Sequence, residues 1–237
     1  MAFTPAEIGA AGVAGQAVVV IDVLRAASTM VEALVNGARD VLPSESVEQA
    51  VKRAQEIGRD QALLCGERDV ERISGFELGN SPLEFTPDRV AGRTLVMTTT
   101  NGTRALLLGS GGKRCLVASL LNASAVADAL AGEAAVLLLC AGREGRFAAE
   151  DALCAGVIAR RIAIRARQAG TTVTTNDASR VAMLMAARFG DRVARLLPRT
   201  AAGRSLVRHG RGEEVAYCAR LDRHRAVPRV ADRRVVV

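Results

Sequence analysis

The sequence predicts a three-layer α/β protein, with helices on both faces of a largely parallel or mixed sheet. Three observations carry that prediction. Short β-branched, apolar runs such as Val18-Val19-Val20-Ile21 alternate with segments of helical length and periodicity. A single helical segment separates successive runs, as parallel strand pairing requires of its crossovers. The unusual polar clusters follow the apolar runs directly, and α/β sheets bind ligands beyond the carboxyl ends of their strands.

Ala17 to Ile21 is the first predicted strand and Thr29 to Asn36 the first helix, with Thr29 and Glu32 at capping-box spacing and Gly37 as its stop. Val41-Leu42 is a short strand. Ser46 to Gly58 is a helix, with Ser46 and Gln49 again at capping-box spacing. Ala62 to Cys65 is strand-like and leads into an irregular segment, Gly66 to Asp88, whose length in a compact domain is usually functional. Thr94 to Thr99 is a strand, Thr103 to Leu108 a helix, and Arg114 to Ala118 a strand. Asn122 caps a helix running toward Ala131. Ala135 to Cys140 is a strand and Phe147 to Gln168 a long helix; Asn176 or Asp177 opens another through Ala187. Short helical pieces and a strand near Val215 to Cys218 are expected in the last fifty residues. No repeat or linker divides residues 1–237, so one α/β domain is expected, with room for a smaller C-terminal subdomain.

The chain has 237 residues and a formal charge of +7. Lysine occurs only at Lys52 and Lys113, the arginines are interleaved with acids, and Tyr217 is the sole tyrosine in a chain without tryptophan. A basic balance without stacking residues or a binding motif argues against nucleic acid. Met1 to Gly15 lacks a basic start and a long apolar stretch, and no apolar run approaches a membrane span. A cytoplasmic protein is expected, with a homodimer as the default assembly. The five cysteines form no Cys-x-x-Cys pair, so reduced, mostly buried thiols are expected rather than a zinc site.

Five segments are placed at the strand ends: Asp22–Thr29, Gly66–Pro82, Thr98–Thr103, Ser119–Asn122 and Cys140–Asp151. Thr98 to Arg104 packs hydroxyls, Asn101 and Gly102 where a strand hands over to a helix, a junction with free N–H groups and a favourable dipole for an anion. Thr99, Thr100, Gly102 and Thr103 are its candidate phosphate contacts. Asp22 ends a strand and reads as a magnesium ligand, a nucleophile or a helix cap. Arg25 suits bidentate phosphate or carboxylate binding or is solvated, and Ser28 and Thr29 are anion donors or caps. Glu67 and Arg68 stand at the next strand end; Gly79-Asn80-Ser81-Pro82 is a turn first and a ligand loop second. Glu150-Asp151 suit either the dipole of the long helix or metal and base chemistry. Cys140 and Arg146, six residues apart around Gly142, have the spacing of a thiolate phosphatase, although Phe147 and Glu144 fit that scheme poorly.

Six ordered motifs together resemble the 2-phosphosulfolactate phosphatase family of coenzyme M biosynthesis: Asp22 to Thr29, Gly66-Glu67-Arg68, Gly75 to Pro82, Thr99 to Thr103, Cys140-Ala141-Gly142 and Glu150-Asp151. Asp69-Val70 stand where that family is expected to carry glycines. The resemblance implies Mg²⁺-dependent hydrolysis of a phosphorylated 2-hydroxy acid, typically (R)-2-phospho-3-sulfolactate. On that footing Mg²⁺ sits on Asp22 with Glu150 or Asp151. Thr99 to Thr103, Arg25 and Ser28 hold phosphate oxygens, Glu67 or Asp151 orients water, and Arg68 takes the carboxylate or sulfonate. Asn80, Ser81, Cys140, Gly142 and Arg146 complete the expected contacts. The alternatives are a non-catalytic anion-binding protein and a Cys140/Arg146 thiolate enzyme.

Overall fold

A computed structural model describes residues 1–237, the side chain of Asp191 excepted. Nine strands form one mixed sheet: β1 Ala17–Ile21, β2 Asp40–Pro43, β3 Ala62–Arg68, β4 Glu71–Arg72, β5 Thr94–Thr98, β6 Arg114–Ala118, β7 Val136–Cys140, β8 Arg229–Ala231 and β9 Arg234–Val236, in the order β4-β3-β5-β2-β9-β8-β6-β1-β7. The main helices are α1 Ala26–Val35, α2 Val47–Ile57, α3 Gly102–Gly109, α4 Ala123–Ala129, α5 Ala149–Gln168, α6 Asp177–Phe189, α7 Ala201–Arg208 and α8 Gly212–Cys218.

Every residue of β1 is buried, and its alternating side chains enter different cores. Val18 and Val20 pack with Met30 and Leu106, whereas Val19 and Ile21 pack with Leu153 and Ile158. A strand apolar on both faces has to be covered on both, which produces the three layers. The close approach of α5 and α6 depends on Gly156, where a Cβ would fall on the Ala182 carbonyl.

The sheet is two parallel triplets, β3-β5-β2 and β6-β1-β7, joined by the antiparallel hairpin β8-β9. Three successive antiparallel pairings reverse one triplet relative to the other, so in a flat sheet their carboxyl ends would lie at opposite edges. They meet instead: Glu144 N, beyond β7, donates to Asn101 Oδ1, beyond β5, at 2.9 Å. The sheet therefore turns steeply through the hairpin, which pairs with β6 and with β2 through one residue pair each. Asp232 and Arg233 form its turn with φ of 48° and 61°, the left-handed pair that two-residue hairpins favour.

Several expectations are corrected. The first helix begins at Ala26, so Thr29 lies inside it and donates to Asn80 O, while Glu32 pairs with His224 and Asn36 rather than closing a capping box. Val215 to Cys218 is helical, within α8, because Glu214, Val215, Tyr217 and Cys218 bury one helical face; the late strands are β8 and β9. Part of the irregular segment is the tight β3–β4 hairpin, whose turn residues Asp69 and Val70 have φ of 49° and 75°. That backbone is the reason glycines are expected there, and a β-branched valine is strained in it. Ser46 accepts from Gln49 N and Asn176 from Ser179 N, as their positions predict. All five cysteines are buried and free, and no helix is long and apolar enough to cross a membrane.

Candidate active site

The loops beyond β1, β3, β5 and β7 line an open cleft. Its wall is completed by Asn80 and by Ala202 and Leu206 of α7. Six carboxylates face it, Asp22, Glu67, Asp69, Glu144, Glu150 and Asp151, against two guanidiniums, Arg25 and Arg143.

Asp22 follows β1 directly, and its Oδ1 accepts from Ala26 N at 3.2 Å, in the first turn of α1. Burial pushes its carboxyl up to about 7; the Glu67 and Glu150 charges push the same way, and the Ala26 N–H and Arg25 oppose them. Asp151, in the first turn of α5, accepts from Val23 N at 2.8 Å and from Gly142 N at 3.1 Å. It thereby ties the ends of β1 and β7 together. Burial, then the charges of Asp22 and Glu150, raise it well above the usual carboxylate range despite those two bonds. Glu150 is raised by burial and is opposed by its own backbone N–H, Thr200 and Arg143. Three neighbouring buried carboxyls cannot all ionise without a compensating cation.

On the opposite side, Glu67 Oε1 accepts from Thr100 N at 3.1 Å and from Thr100 Oγ1 at 3.0 Å, while its Oε2 accepts from Val70 N at 3.2 Å. Thr99 and Thr103 bond reciprocally, each backbone N–H to the other's hydroxyl at 3.3 Å, fixing the start of α3. A Cβ on Gly102 would come within 2.7 Å of Ala26 Cβ and 2.8 Å of Asp22 Oδ2. Only glycine therefore lets this loop close over the aspartate. Asn80 is buried, and its Oδ1 has no hydrogen-bond partner.

The structure thus brings Asp22, Arg25, Glu67, Asn80, Thr99, Thr100, Asn101, Gly142, Glu150 and Asp151 to one cleft. Other predicted residues lie elsewhere. Ser28 is fully buried and donates to Val23 O, and Thr29 positions the Asn80 loop. Ser81 is buried beside it at the start of a short 3₁₀ turn, and Thr103 is buried with its hydroxyl accepting from Thr99 N rather than lining the cleft. Arg68 is exposed and directed at Thr98 Oγ1, 3.2 Å away. Two observations weigh against the thiolate scheme. Cys140 is fully buried, where burial pushes its thiol well up, and Arg146 is exposed outside the cleft. Arg25 keeps its place at the cleft but is a buried ion-pair member, with Nη1 2.6 Å from Glu214 Oε2 and Nη2 3.0 Å from Val70 O. Glu214 and α7 carried no signal in the sequence, since tertiary packing alone brings them to the site, whereas Arg143 lies in the strand-end segment Cys140–Asp151, whose spacing pointed to Cys140 and Arg146 instead.

A carboxylate-rich cleft at the converging ends of parallel strands is where α/β proteins bind small polar ligands. The family model described as 2-phosphosulpholactate phosphatase matches residues 2–233. Proteins named probable 2-phosphosulfolactate phosphatase are similar to this chain: one from Symbiobacterium thermophilum is 43% identical over 225 residues, covering 94% of this chain and 95% of its own. One from Synechococcus sp. is 38% identical over 231 residues, with 96% and 93% covered. A third, from Caldanaerobacter subterraneus subsp. tengcongensis, is 36% identical over 214 residues, with 90% and 87% covered. The chain belongs to the 2-phosphosulpholactate phosphatase family, and so to the phosphoric monoester hydrolases.

Proposed function

We propose that this chain is a Mg²⁺-dependent phosphatase acting on the phosphate ester of a 2-hydroxy acid, (R)-2-phospho-3-sulfolactate, and releasing 3-sulfolactate and phosphate. The observation that carries the reading is the excess of carboxylates in a cleft for an anionic substrate. Phosphate would be repelled from such a site unless a cation entered with it. Among the described residues, no three His, Cys, Asp or Glu side chains form a ready metal cage. Magnesium needs no cage, because it takes one or two carboxylates and fills its remaining positions with water and substrate phosphate. Asp22 with Glu150 or Asp151 would hold it, and the unpartnered Asn80 Oδ1 is a neutral oxygen donor in the same cleft. Bound there, the ion would supply the charge that neutralises phosphate oxygens.

The protein's own groups supply the rest. The loop beyond β5 offers the Thr100 hydroxyl, the Asn101 amide and the start of α3 to the phosphate. Glu67 or Asp151 orients the attacking water and accepts its proton. A new P–O bond forms as the ester P–O bond breaks, and the proton the carboxylate took from water passes to the departing alkoxide.

The test is phosphate release from 2-phosphosulfolactate with and without EDTA. Release is expected to vanish in EDTA and return with Mg²⁺. It should be lost in Asp22→Asn while the circular dichroism spectrum is unchanged, and it should persist in Cys140→Ser. EDTA-resistant release that disappears in Cys140→Ser would favour the thiolate scheme. No release from any such ester would leave an anion-binding protein.

A further inference from the structure

We infer that Arg143 is the specificity-determining residue for the sulfonate of the substrate. The inference rests on the phosphoester reading of the cleft. A substrate carrying a sulfonate besides its phosphate and carboxylate must place that charge in a cleft lined by six acidic residues, which repel it. Two guanidiniums are within reach, and they are not equivalent. Arg25 has a side chain only 4% exposed, with its terminal nitrogens committed to Glu214 and to the Val70 carbonyl. Arg143 is 33% exposed, and its ion pair is with Glu144, itself 70% exposed and 3.4 Å away. Such a pair holds weakly and yields to a better-placed anion.

The geometry around Arg143 is that of a fixed base with an adaptable arm. Its backbone N–H and C=O both bond Arg146, at 2.9 and 2.8 Å. Gly142 N is tied to Asp151 Oδ2, and Glu144 N to Asn101 Oδ1. The loop is therefore clamped on one side to the proposed metal carboxylates and on the other to the proposed phosphate loop. The side chain between those clamps is left to meet a ligand, and its charge is felt at Glu150. The wall formed by Leu24, Ala202 and Leu206 is apolar and offers no competing cation. A guanidinium held this way can make two parallel bonds to two oxygens of a sulfonate.

The experiment compares wild type, Arg143→Gln and Arg143→Lys on two esters, 2-phosphosulfolactate and 2-phospholactate, which lacks the sulfonate. Binding of the unphosphorylated acids 3-sulfolactate and lactate is measured by calorimetry in parallel. We expect Arg143→Gln to lower kcat/KM for the sulfonated ester about 100-fold, chiefly through KM, and to change that for 2-phospholactate less than about 3-fold. Arg143→Lys should recover part of the preference, and 3-sulfolactate binding should weaken in step. Equal losses on both esters, or no loss on either, would overturn the assignment. Should the wild type release no phosphate, the phosphatase reading falls separately. Loss of 3-sulfolactate binding in Arg143→Gln would still support this assignment, and unchanged or absent binding would still refute it.

Discussion

Replacing Glu214 by alanine should cost more stability than any surface charge change, because it strands a buried guanidinium. Arg25 and Glu214 meet at 2.6 Å with side chains 4% and 9% exposed, and Glu214 Oε1 also takes Arg211 Nη1 at 3.1 Å. Removing one partner of a buried pair costs about 3–5 kcal/mol, mostly the penalty on the charge left behind. Val70 O and the field of Asp22 still compensate Arg25 in part, which places the expectation near the lower limit, at about 3 kcal/mol. For a chain of this size that lowers Tm by roughly 6–12 °C. Urea unfolding at pH 7 in EDTA measures it. The double variant Arg25→Met/Glu214→Leu fills the same space without charge and should cost less than about 1.5 kcal/mol. A loss below about 1 kcal/mol in Glu214→Ala would refute the reasoning, as would a double variant as unstable as the two single changes added together.

Three other outcomes follow from the same geometry. Asp22 is held up to about 7 in the fold against an unfolded value of 3.8, so between those values the native state keeps a proton that the unfolded chain has lost. Stability must then fall as pH rises through this window. In EDTA, Asp22→Asn should be more stable than wild type by on the order of 2–4 kcal/mol at pH 8 and about equal at pH 4, and equal urea midpoints at pH 8 would contradict this. Gly102→Ala pushes the β5 loop off Ala26 and Asp22; kcat/KM should drop about 100-fold with near-native Tm, and unchanged turnover would show that the loop's closure is unimportant. Gly156→Ala drives a methyl into the Ala182 carbonyl and should cost about 3 kcal/mol, read as a lower urea midpoint, whereas a shift under about 1 kcal/mol would mean that α5 and α6 separate freely.

Much of the fold was legible because the signals are local. Six strands and most helices announce themselves as β-branched runs and amphipathic segments between glycine, proline and capping residues. Where the sequence misled, a distant partner had won. Thr29 and Glu32 have the spacing of a cap, but a loop fifty residues on takes the Thr29 hydroxyl and His224 takes the Glu32 carboxylate. Val215 to Cys218 reads as a strand by composition, yet the burial of one helical face against neighbouring helical turns decides for a helix.

The candidate site divides in the same way. The sequence alone determined that Asp22, Glu67, the Thr99–Asn101 loop and Glu150-Asp151 stand at strand ends and helix starts, since those positions follow from the alternation of strand and helix. Only the tertiary structure decided that two oppositely paired triplets meet at one cleft, through a hairpin from the last residues of the chain. It also placed Arg68, Cys140 and Arg146 outside the cleft lining and set Glu214 against Arg25. The reason is physical. Which element a residue belongs to depends on its near neighbours in sequence, whereas the direction, burial and pairing of its side chain depend on what the twist of the sheet packs against it.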